Sequence, residues 1–416
     1  METNSEKNGN FIIAGVDIGK DSTFLSFVTS GMEEPVTIST VMGSESYQIP
    51  TKLSKKKGIG QWFIGNDALS QERLSMAIGC DNFYEKALDD EKVYVEGEEF
   101  LARDLLSVYF RKLLSMPLPG IAKGRLSLLV ICVSELNMKV FSTMNAVAQR
   151  LGLSRDRLYL IDKSESFYYY TLSQEKSIFL HDVLLIDYDG ANLTHCFLQK
   201  DVRTRPVTVT LEKAAHGEVL DMKDERLYDI ASEILKGRIV SGIYLTGDGF
   251  DGDWMKKSLS LMLQGRRLFL GKNLYSKGAC YAGLVRLSVT DWPYVYIGDN
   301  ELKLNISLKV IDSNEMKLIT LLSAGENWYD EKGECECILD GTPSLELFVR
   351  KPDERSSEVV SLPLLGFPER ENRTSRIRIE AIPMSDSEVK VIVTDLGFGE
   401  ISPQTKKTWE HIIKAK

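Results

Sequence analysis

Apolar and polar positions follow two different periods along residues 1–290, and their order predicts a mixed α/β region. Residues 11–30 form an apolar run that breaks at a glycine and resumes as a second strand-like run. Helical spacing follows at 97–116, with Glu98 and Glu99 in the expected first turn. A continuous apolar run at 125–135 and another helical pattern at 136–153 complete the series. We therefore expect a strand-turn-strand unit followed by helix, strand and helix.

The same order of patterns appears again further along this region. Residues 183–200 are again strand-turn-strand, 225–237 are helical, and 239–249 form a buried strand that runs into a glycine loop. The two strand-turn-strand units begin about 170 residues apart, a spacing far longer than that of a solenoid repeat. The repetition predicts a duplicated α/β fold with a cleft between the two halves.

The pattern changes after residue 290. Short alternating strands separated by turn residues fill 302–395, with almost no helical periodicity. We therefore divide the chain into an α/β domain at 1–290, a linker at 291–301 and an all-β domain at 302–416.

Composition and charge exclude several classes of function. The net charge of −9 argues against nucleic-acid binding, because phosphate backbones require clustered Lys and Arg. No apolar run is long enough to span a membrane, and the polar N-terminal segment does not resemble an export signal, so we expect a cytoplasmic protein with no membrane partner. The six cysteines and four histidines lack metal-ligand spacing, which favours reduced, structural roles.

Four glycine-bearing segments, at 15–20, 186–192, 245–249 and 277–283, carry the candidate chemistry. A strand that turns at glycine presents backbone N–H groups to phosphate oxygens, and an aspartate at the strand end can hold Mg²⁺ through water. These segments supply the candidate nucleotide-binding residues Asp17, Gly19, Lys20, Asp187, Gly190, Gly247, Gly249 and Gly278.

In this order the four segments resemble the two phosphate loops, the adenosine loop and the closing helix of the actin, sugar-kinase and heat-shock chaperone superfamily. The all-β region is similar to the peptide-binding β-sandwich of the seventy-kilodalton heat-shock chaperones, which actins and sugar kinases lack. The resemblance implies an actin-like ATPase fold that binds ATP or ADP, with Mg²⁺ held by Asp17 and Asp187. It also implies a peptide groove near Ile311, Leu345 and Leu347, although alternation equally predicts these residues as ordinary sandwich core.

Several positions depart from the family pattern. Lys20 and Asp21 precede the hydroxyl residues of the first loop, and the second loop reads Asp189-Gly190-Ala191-Asn192 in place of a glycine run. Lys163 and Ser164 stand where the family has a glutamate and a proline, and Glu165 lies on a different helix face. The subdomain that covers one side of the adenine in the family has no counterpart in the short connection before 225–237.

These departures lead to one interpretation and its alternative. The first is a degenerate chaperone-like protein that binds a peptide or protein partner through its β-sandwich, with weak or absent ATP/ADP and Mg²⁺ binding. The alternative is a slow Mg²⁺-dependent ATPase chaperone in which positioning and electrostatics alone activate the attacking water. A small-molecule kinase would need a general base near the cleft, and the sequence offers no matching residue.

Overall fold

The structure is a computed structural model that describes residues 10–41, 43–116, 126–312, 315–352, 354 and 356–414. Internal contacts divide the chain into two compact units. The first comprises the chain up to Gln199 together with Leu211–Trp292, and the second comprises Lys200–Thr210 with the chain from Pro293 onward. The short segment Lys200–Thr210 groups with the second unit because Val207–Val209 pairs in parallel with Tyr294–Tyr296. Sequence patterning had left this segment in the α/β region.

The described part of the chain contains eight α-helices. They are α1 (Gly65–Arg73), α2 (Phe83–Leu88), α3 (Ala102–Leu113), α4 (Met138–Arg150), α5 (Lys163–Leu172), α6 (Lys223–Leu235), α7 (Lys257–Met262) and α8 (Leu274–Arg286). None of the helices in these described ranges is both long and apolar enough to cross a membrane.

Sixteen strands precede residue 271 in the described ranges. They are β1 (Ile12–Ile18), β2 (Ser22–Thr29), β3 (Val36–Thr37), β4 (Ile49–Pro50), β5 (Leu53–Lys56), β6 (Trp62–Ile64), β7 (Ala77–Gly79), β8 (Lys92–Val95), β9 (Glu98–Leu101), β10 (Leu128–Val133), β11 (Leu158–Asp162), β12 (Asp182–Tyr188), β13 (Asn192–Asp201), β14 (Val207–Glu218), β15 (Val240–Thr246) and β16 (Arg267–Leu270). The predicted mixed α/β character is confirmed.

Two central sheets of the first unit share one arrangement. In the first, β1 pairs antiparallel with β2 and parallel with β10, and β10 pairs parallel with β11. In the second, β12 pairs antiparallel with β13 and parallel with β15, and β15 pairs parallel with β16. All six residues of β10 are buried, as expected for a strand covered on both faces. The loops that follow β1 and β12 therefore stand at equivalent ends of two similar sheets.

One predicted helix start is wrong. Glu98 and Glu99 belong to strand β9, which pairs with β8, and helix α3 begins only at Ala102. The Lys55 ammonium of β5 lies 2.6 Å from a Glu98 carboxylate oxygen, so Glu98 forms an ion pair with a strand of another sheet and does not belong to the helix N-terminus. The preceding segment, interpreted as a loop region, holds the β5-β6-β7 sheet together with α1 and α2.

The second unit is built mainly of antiparallel strands. They are β17 (Tyr294–Tyr296), β18 (Asn305–Asp312), β19 (Glu315–Leu322), β20 (Gly333–Ile338), β21 (Ser344–Arg350), β22 (Glu358–Pro363), β23 (Arg376–Pro383), β24 (Glu388–Gly397) and β25 (Thr408–Lys414). Two four-stranded sheets, ordered β19-β18-β21-β22 and β20-β23-β24-β25, contribute side chains to one hydrophobic cluster. Alternation along each strand sends one set of side chains into this cluster.

One buried ion pair fixes the chain between β24 and β25. Asp395 is fully buried, and its carboxylate accepts two hydrogen bonds from the Arg370 guanidinium at 2.7 and 2.8 Å. It also accepts from the backbone N–H groups of Gly397 and Thr405. Burial alone would raise the pKa of Asp395, but these hydrogen bonds hold it well below its usual range. The pair therefore anchors the connection that leads to the last strand.

Candidate functional site

Two aspartates occupy equivalent positions at the ends of the two central sheets. Asp17 is the penultimate residue of β1 and Asp187 the penultimate residue of β12. Asp17 is buried, and burial raises its pKa to about 6, an effect that Lys163 opposes and that Asp187 reinforces. Both sequence-predicted aspartates thus belong to one electrostatic cluster, and one of them ionises only with difficulty.

Lys163 supplies the positive charge of this cluster. It is the first residue of α5, directly after β11, and Asp162 caps the helix by accepting a hydrogen bond from the Glu165 N–H. The Lys163 ammonium lies 3.7 Å from an Asp187 carboxylate oxygen. Burial works to lower the pKa of Lys163, but the carboxylates of Asp17 and Asp187 raise it overall. The ammonium group therefore stays protonated, and its single positive charge offsets one of the two negative charges of these carboxylates.

Tyr275 of α8 completes the cluster. Its hydroxyl donates a hydrogen bond of 2.9 Å to Asp187, and the Lys163 ammonium lies 4.8 Å from the centre of its ring. Burial, and then the neighbouring Asp187 carboxylate, raise the pKa of Tyr275 far above its ordinary value, so the hydroxyl remains a donor. The tyrosine fixes one oxygen of Asp187 and covers one side of the lysine.

Glu165 of α5 contacts strand β11. Its side chain is buried and accepts a hydrogen bond of 2.7 Å from the Tyr159 hydroxyl of β11. Lys163, two residues earlier, is the side chain that interacts with the two aspartates. A cation therefore stands next to the carboxylates at the position where the sequence comparison expected an acid.

In the second glycine loop, the Asp189 carboxylate binds backbone N–H groups of the loop itself. Asp189 accepts hydrogen bonds from the backbone N–H groups of Ala191 at 2.8 Å and Asn192 at 2.7 Å. Partial burial opposes ionisation of Asp189, but these hydrogen bonds lower its pKa overall. Gly190 has a φ of +104°, which this tight turn requires. Two amide donors that could meet a phosphate oxygen are thus already used within the loop.

Close packing explains three other predicted glycines. A Cβ at Gly247 would come within 2.2 Å of the Tyr188 carbonyl oxygen, and one at Gly249 within 2.2 Å of the Tyr188 ring. A Cβ at Gly278 of α8 would come within 2.2 Å of the Ser166 carbonyl oxygen on α5. These glycines allow backbones to approach other protein atoms, which needs no ligand.

The first loop is a short exposed turn between β1 and β2. The Gly19 N–H donates a hydrogen bond of 2.9 Å to the Ser22 carbonyl, and Lys20 and Asp21 are exposed at the tip. Asp17, Asp187 and Lys163 are therefore brought together by the fold, while Lys20 remains on the surface of the turn. Within the described residues, no group of three or more His, Cys, Asp or Glu side chains could hold a metal ion.

Sequence spacing missed a histidine pair. His195 of β13 and His216 of β14 lie with Nδ1 and Nε2 2.7 Å apart and their rings stacked. Burial lowers the pKa of both rings, so the pair is neutral at physiological pH. The two residues are 21 positions apart in sequence, and only strand pairing brings them together.

The three predicted groove residues do not lie together. Leu345 and Leu347 point into the hydrophobic cluster shared by the two sheets of the second unit, the alternative that alternation had left open. Leu308 of β18 pairs with Leu347 on this buried face, so Ile311, three residues further along, points to the opposite face. Ile311 is 64% exposed there. A groove formed by all three residues is therefore excluded.

The exposed face around Ile311 carries several apolar side chains together with Lys309, which pairs with Leu318. Ile311 pairs directly with Met316 of β19, and Leu318 lies on the same face, two residues further along β19. Met316 and Leu318 are 69% and 62% exposed. The pairing of Ser307 with Phe348, and of Phe348 with Val359, continues this face across the sheet. We call Ile311, Met316, Leu318, Phe348 and Val359 the outer apolar face.

Comparison with protein families identifies the chain. Residues 34–299 match the C-terminal part of a family of unknown function, DUF5716, and residues 301–415 match a domain of unknown function, DUF8552. The chain therefore belongs to the DUF5716 family, whose match covers most of the first unit. A comparison with curated proteins found no match.

Proposed function

We propose that this protein is a degenerate relative of the heat-shock chaperones that binds a protein or extended peptide and does not turn over nucleotide. In this proposal the first unit has a reduced actin-like ATPase fold, supported by its two similarly arranged sheets and the equivalent positions of Asp17 and Asp187. The second unit is a β-sandwich, supported by the cluster that its two sheets share.

The position of Lys163 is the observation that carries this proposal. A magnesium nucleotide needs ionised carboxylates or their bound waters around the metal. Here the Lys163 ammonium already interacts with Asp17 and Asp187 and offsets one of their two negative charges, and burial raises the pKa of Asp17 to about 6. A divalent cation beside these carboxylates would meet the repulsion of the ammonium group. The Asp189 carboxylate also occupies two backbone N–H groups of the second loop. Together these features favour weak or absent binding of ATP, ADP and Mg²⁺.

The partner surface in this proposal is the outer apolar face. β19 is an edge strand of its sheet in the described part of the chain, and edge strands are the usual place of strand addition. Three large apolar side chains on β18 and β19 are more than 60% exposed. Extended peptides bind such edges through main-chain hydrogen bonds, while neighbouring apolar side chains select residues of the peptide.

Calorimetry with ATP in the presence and absence of Mg²⁺ tests the nucleotide part of the proposal. We expect no Mg²⁺-dependent binding and no phosphate release above that of a buffer control. If Mg²⁺-dependent binding and phosphate release are observed, and both are lost in Asp17→Asn and Asp187→Asn, the slow ATPase is the correct function. The two asparagine variants also show whether any activity comes from this site or from a contaminating enzyme.

Fluorescence anisotropy with a labelled apolar heptapeptide tests the partner surface. We expect saturable binding that the double variant Met316→Glu, Leu318→Glu weakens by about tenfold or more, because central apolar contacts dominate binding energy. The matched control is Ile412→Glu, which adds a charge at an exposed position on β25 in the other sheet. Equal binding by both variants, or no saturable binding by the unmodified protein, would refute the assignment of this surface.

A further inference from the structure

An open cavity of about 360 Å³ lies next to the aspartate cluster, within the first unit. Its walls come from the start of α5, from strands β12, β13 and β14, and from α8. Lys163 and Tyr275 form the wall that the cavity shares with the cluster. Its volume lies in the range of small-molecule sites in proteins. No step of the proposed function uses this cavity.

The floor of the cavity is apolar. Phe167 of α5, Leu185 of β12 and Tyr275 are buried side chains at its base. Ala215 of β14 is exposed at its rim, and a small residue there leaves the cavity open. A flat aromatic or short aliphatic group would cover these surfaces and remove apolar area from water.

The rim is polar and carries a positive charge. Leu185 pairs with Cys196 and Asp187 with Thr194, so the side chains of Thr194 and Cys196 lie on the same sheet face as Leu185. Lys213 of β14 is exposed beside them and is close enough to affect the ionisation of Cys196. Burial raises the pKa of that thiol to about 12, so Cys196 stays neutral.

The opposite side of the rim is polar. Lys163 and Ser164, the first two residues of α5, line the cavity there. The Asp162 carboxylate already caps this helix end, so the attraction of the rim for an anion rests on Lys213 of the facing strand. The Lys163 ammonium interacts with the carboxylates behind it, and Tyr275 donates a hydrogen bond to Asp187.

We infer that this cavity binds a small amphipathic anion, with an aromatic or aliphatic body on the Phe167, Leu185 and Tyr275 floor and an acidic group at the rim beside Lys213. Lys213 provides the charge that recognises the acidic group, and Ser164 in the first turn of α5 provides a hydroxyl. This inference does not depend on nucleotide or peptide binding by the chain.

Titration with anilinonaphthalene sulfonate, an aromatic anion that fluoresces in apolar surroundings, tests the inference on the full chain. We expect saturable binding to the unmodified protein, abolished by Ala215→Trp, which fills the cavity from its exposed rim. Lys213→Glu should weaken binding by about tenfold, because it replaces an attraction with a repulsion. Lys236→Glu, a charge reversal at another exposed lysine of the same unit, should leave binding unchanged.

A second probe separates the charge from the apolar floor. Uncharged phenylnaphthylamine should also be excluded by Ala215→Trp but should bind Lys213→Glu as well as the unmodified protein. If Ala215→Trp leaves both probes bound while its thermal unfolding is unchanged, the probes bind elsewhere and the inference fails. If Lys213→Glu and Lys236→Glu weaken the sulfonate equally, the effect is one of net charge, and the role of Lys213 is refuted.

Discussion

Replacing Lys163 by methionine should destabilise the first unit, and the loss should grow as pH rises. Methionine keeps an apolar stem of similar size but removes the ammonium group that interacts with Asp17 and Asp187. Asp17 is almost fully buried, so its negative charge would then lie in a desolvated site beside a second carboxylate. An uncompensated buried charge is costly, whereas a buried protonated carboxyl is tolerated.

The pKa of Asp17 sets the pH window of this effect. Raising this pKa from 3.8 to about 6 makes ionisation of Asp17 cost about 3 kcal/mol more in the folded chain than in the unfolded chain. The folded chain therefore binds more protons between these pH values, and the stability contributed by this group falls as pH rises through that window. Loss of Lys163 should raise the folded pKa of Asp17 further and extend the fall to higher pH.

The magnitude follows from the environment of the lysine. Breaking a buried ion pair costs about 3–5 kcal/mol. The Lys163 side chain is 37% exposed, so solvent screening reduces this value. We expect a loss of about 2–3 kcal/mol near pH 8 and about 1 kcal/mol near pH 5, where Asp17 is largely protonated and Asp187 alone loses its partner.

Urea unfolding of the full chain at the two pH values measures this difference. Lys236→Met is the matched control, since it removes a charge from an exposed lysine of the same unit and should change the free energy of unfolding little at either pH. Adding Asp17→Asn to Lys163→Met should recover most of the loss near pH 8, because it removes the unpaired charge. A loss that is equal at both pH values, or no recovery in the double variant, would refute the reasoning.

Three further predictions concern the loops and the second unit. Asp189→Gly should strengthen ATP binding in calorimetry, because it frees the backbone N–H groups of Ala191 and Asn192. Asp189→Asn keeps an acceptor oxygen and should leave the affinity for ATP unchanged. If neither variant changes this affinity, a phosphate site at this loop is refuted. Leu347→Ala should lower the free energy of unfolding by about 2–5 kcal/mol, because Leu347 is buried. Ile311→Ala should lower it by less than about 0.5 kcal/mol, because Ile311 is exposed. Comparable losses in the two variants would contradict the assigned faces. Arg370→Met should lower the free energy of unfolding by about 3–5 kcal/mol near neutral pH. This loss should shrink at pH values below the usual carboxyl range, where acid protonates Asp395. A loss that does not depend on pH would argue against the buried pair.

Periodicity alone determined the main elements of this protein. The apolar runs predicted β1, β10 and β12, and the helical spacing predicted α4 and α6, because these elements bury one face or both. The alternation at 302–395 predicted β18, β19, β20, β21, β23 and β24 for the same reason, but not β17, β22 or β25. Patterning did not find the small sheets before residue 100 or the strand β9, because short strands held by ion pairs carry little apolar signal.

The chemistry of the candidate site was decided only by tertiary structure. The sequence marked Asp17 and Asp187, but the role of Lys163 depends on the meeting of β1, β12 and the start of α5, which are far apart along the chain. Likewise, strand alternation could place Leu345, Leu347 and Ile311 on a sheet but could not assign their faces, because a one-residue difference in register reverses every side chain. Local pattern determines which residues can be buried, whereas charge pairing and register depend on contacts between distant segments.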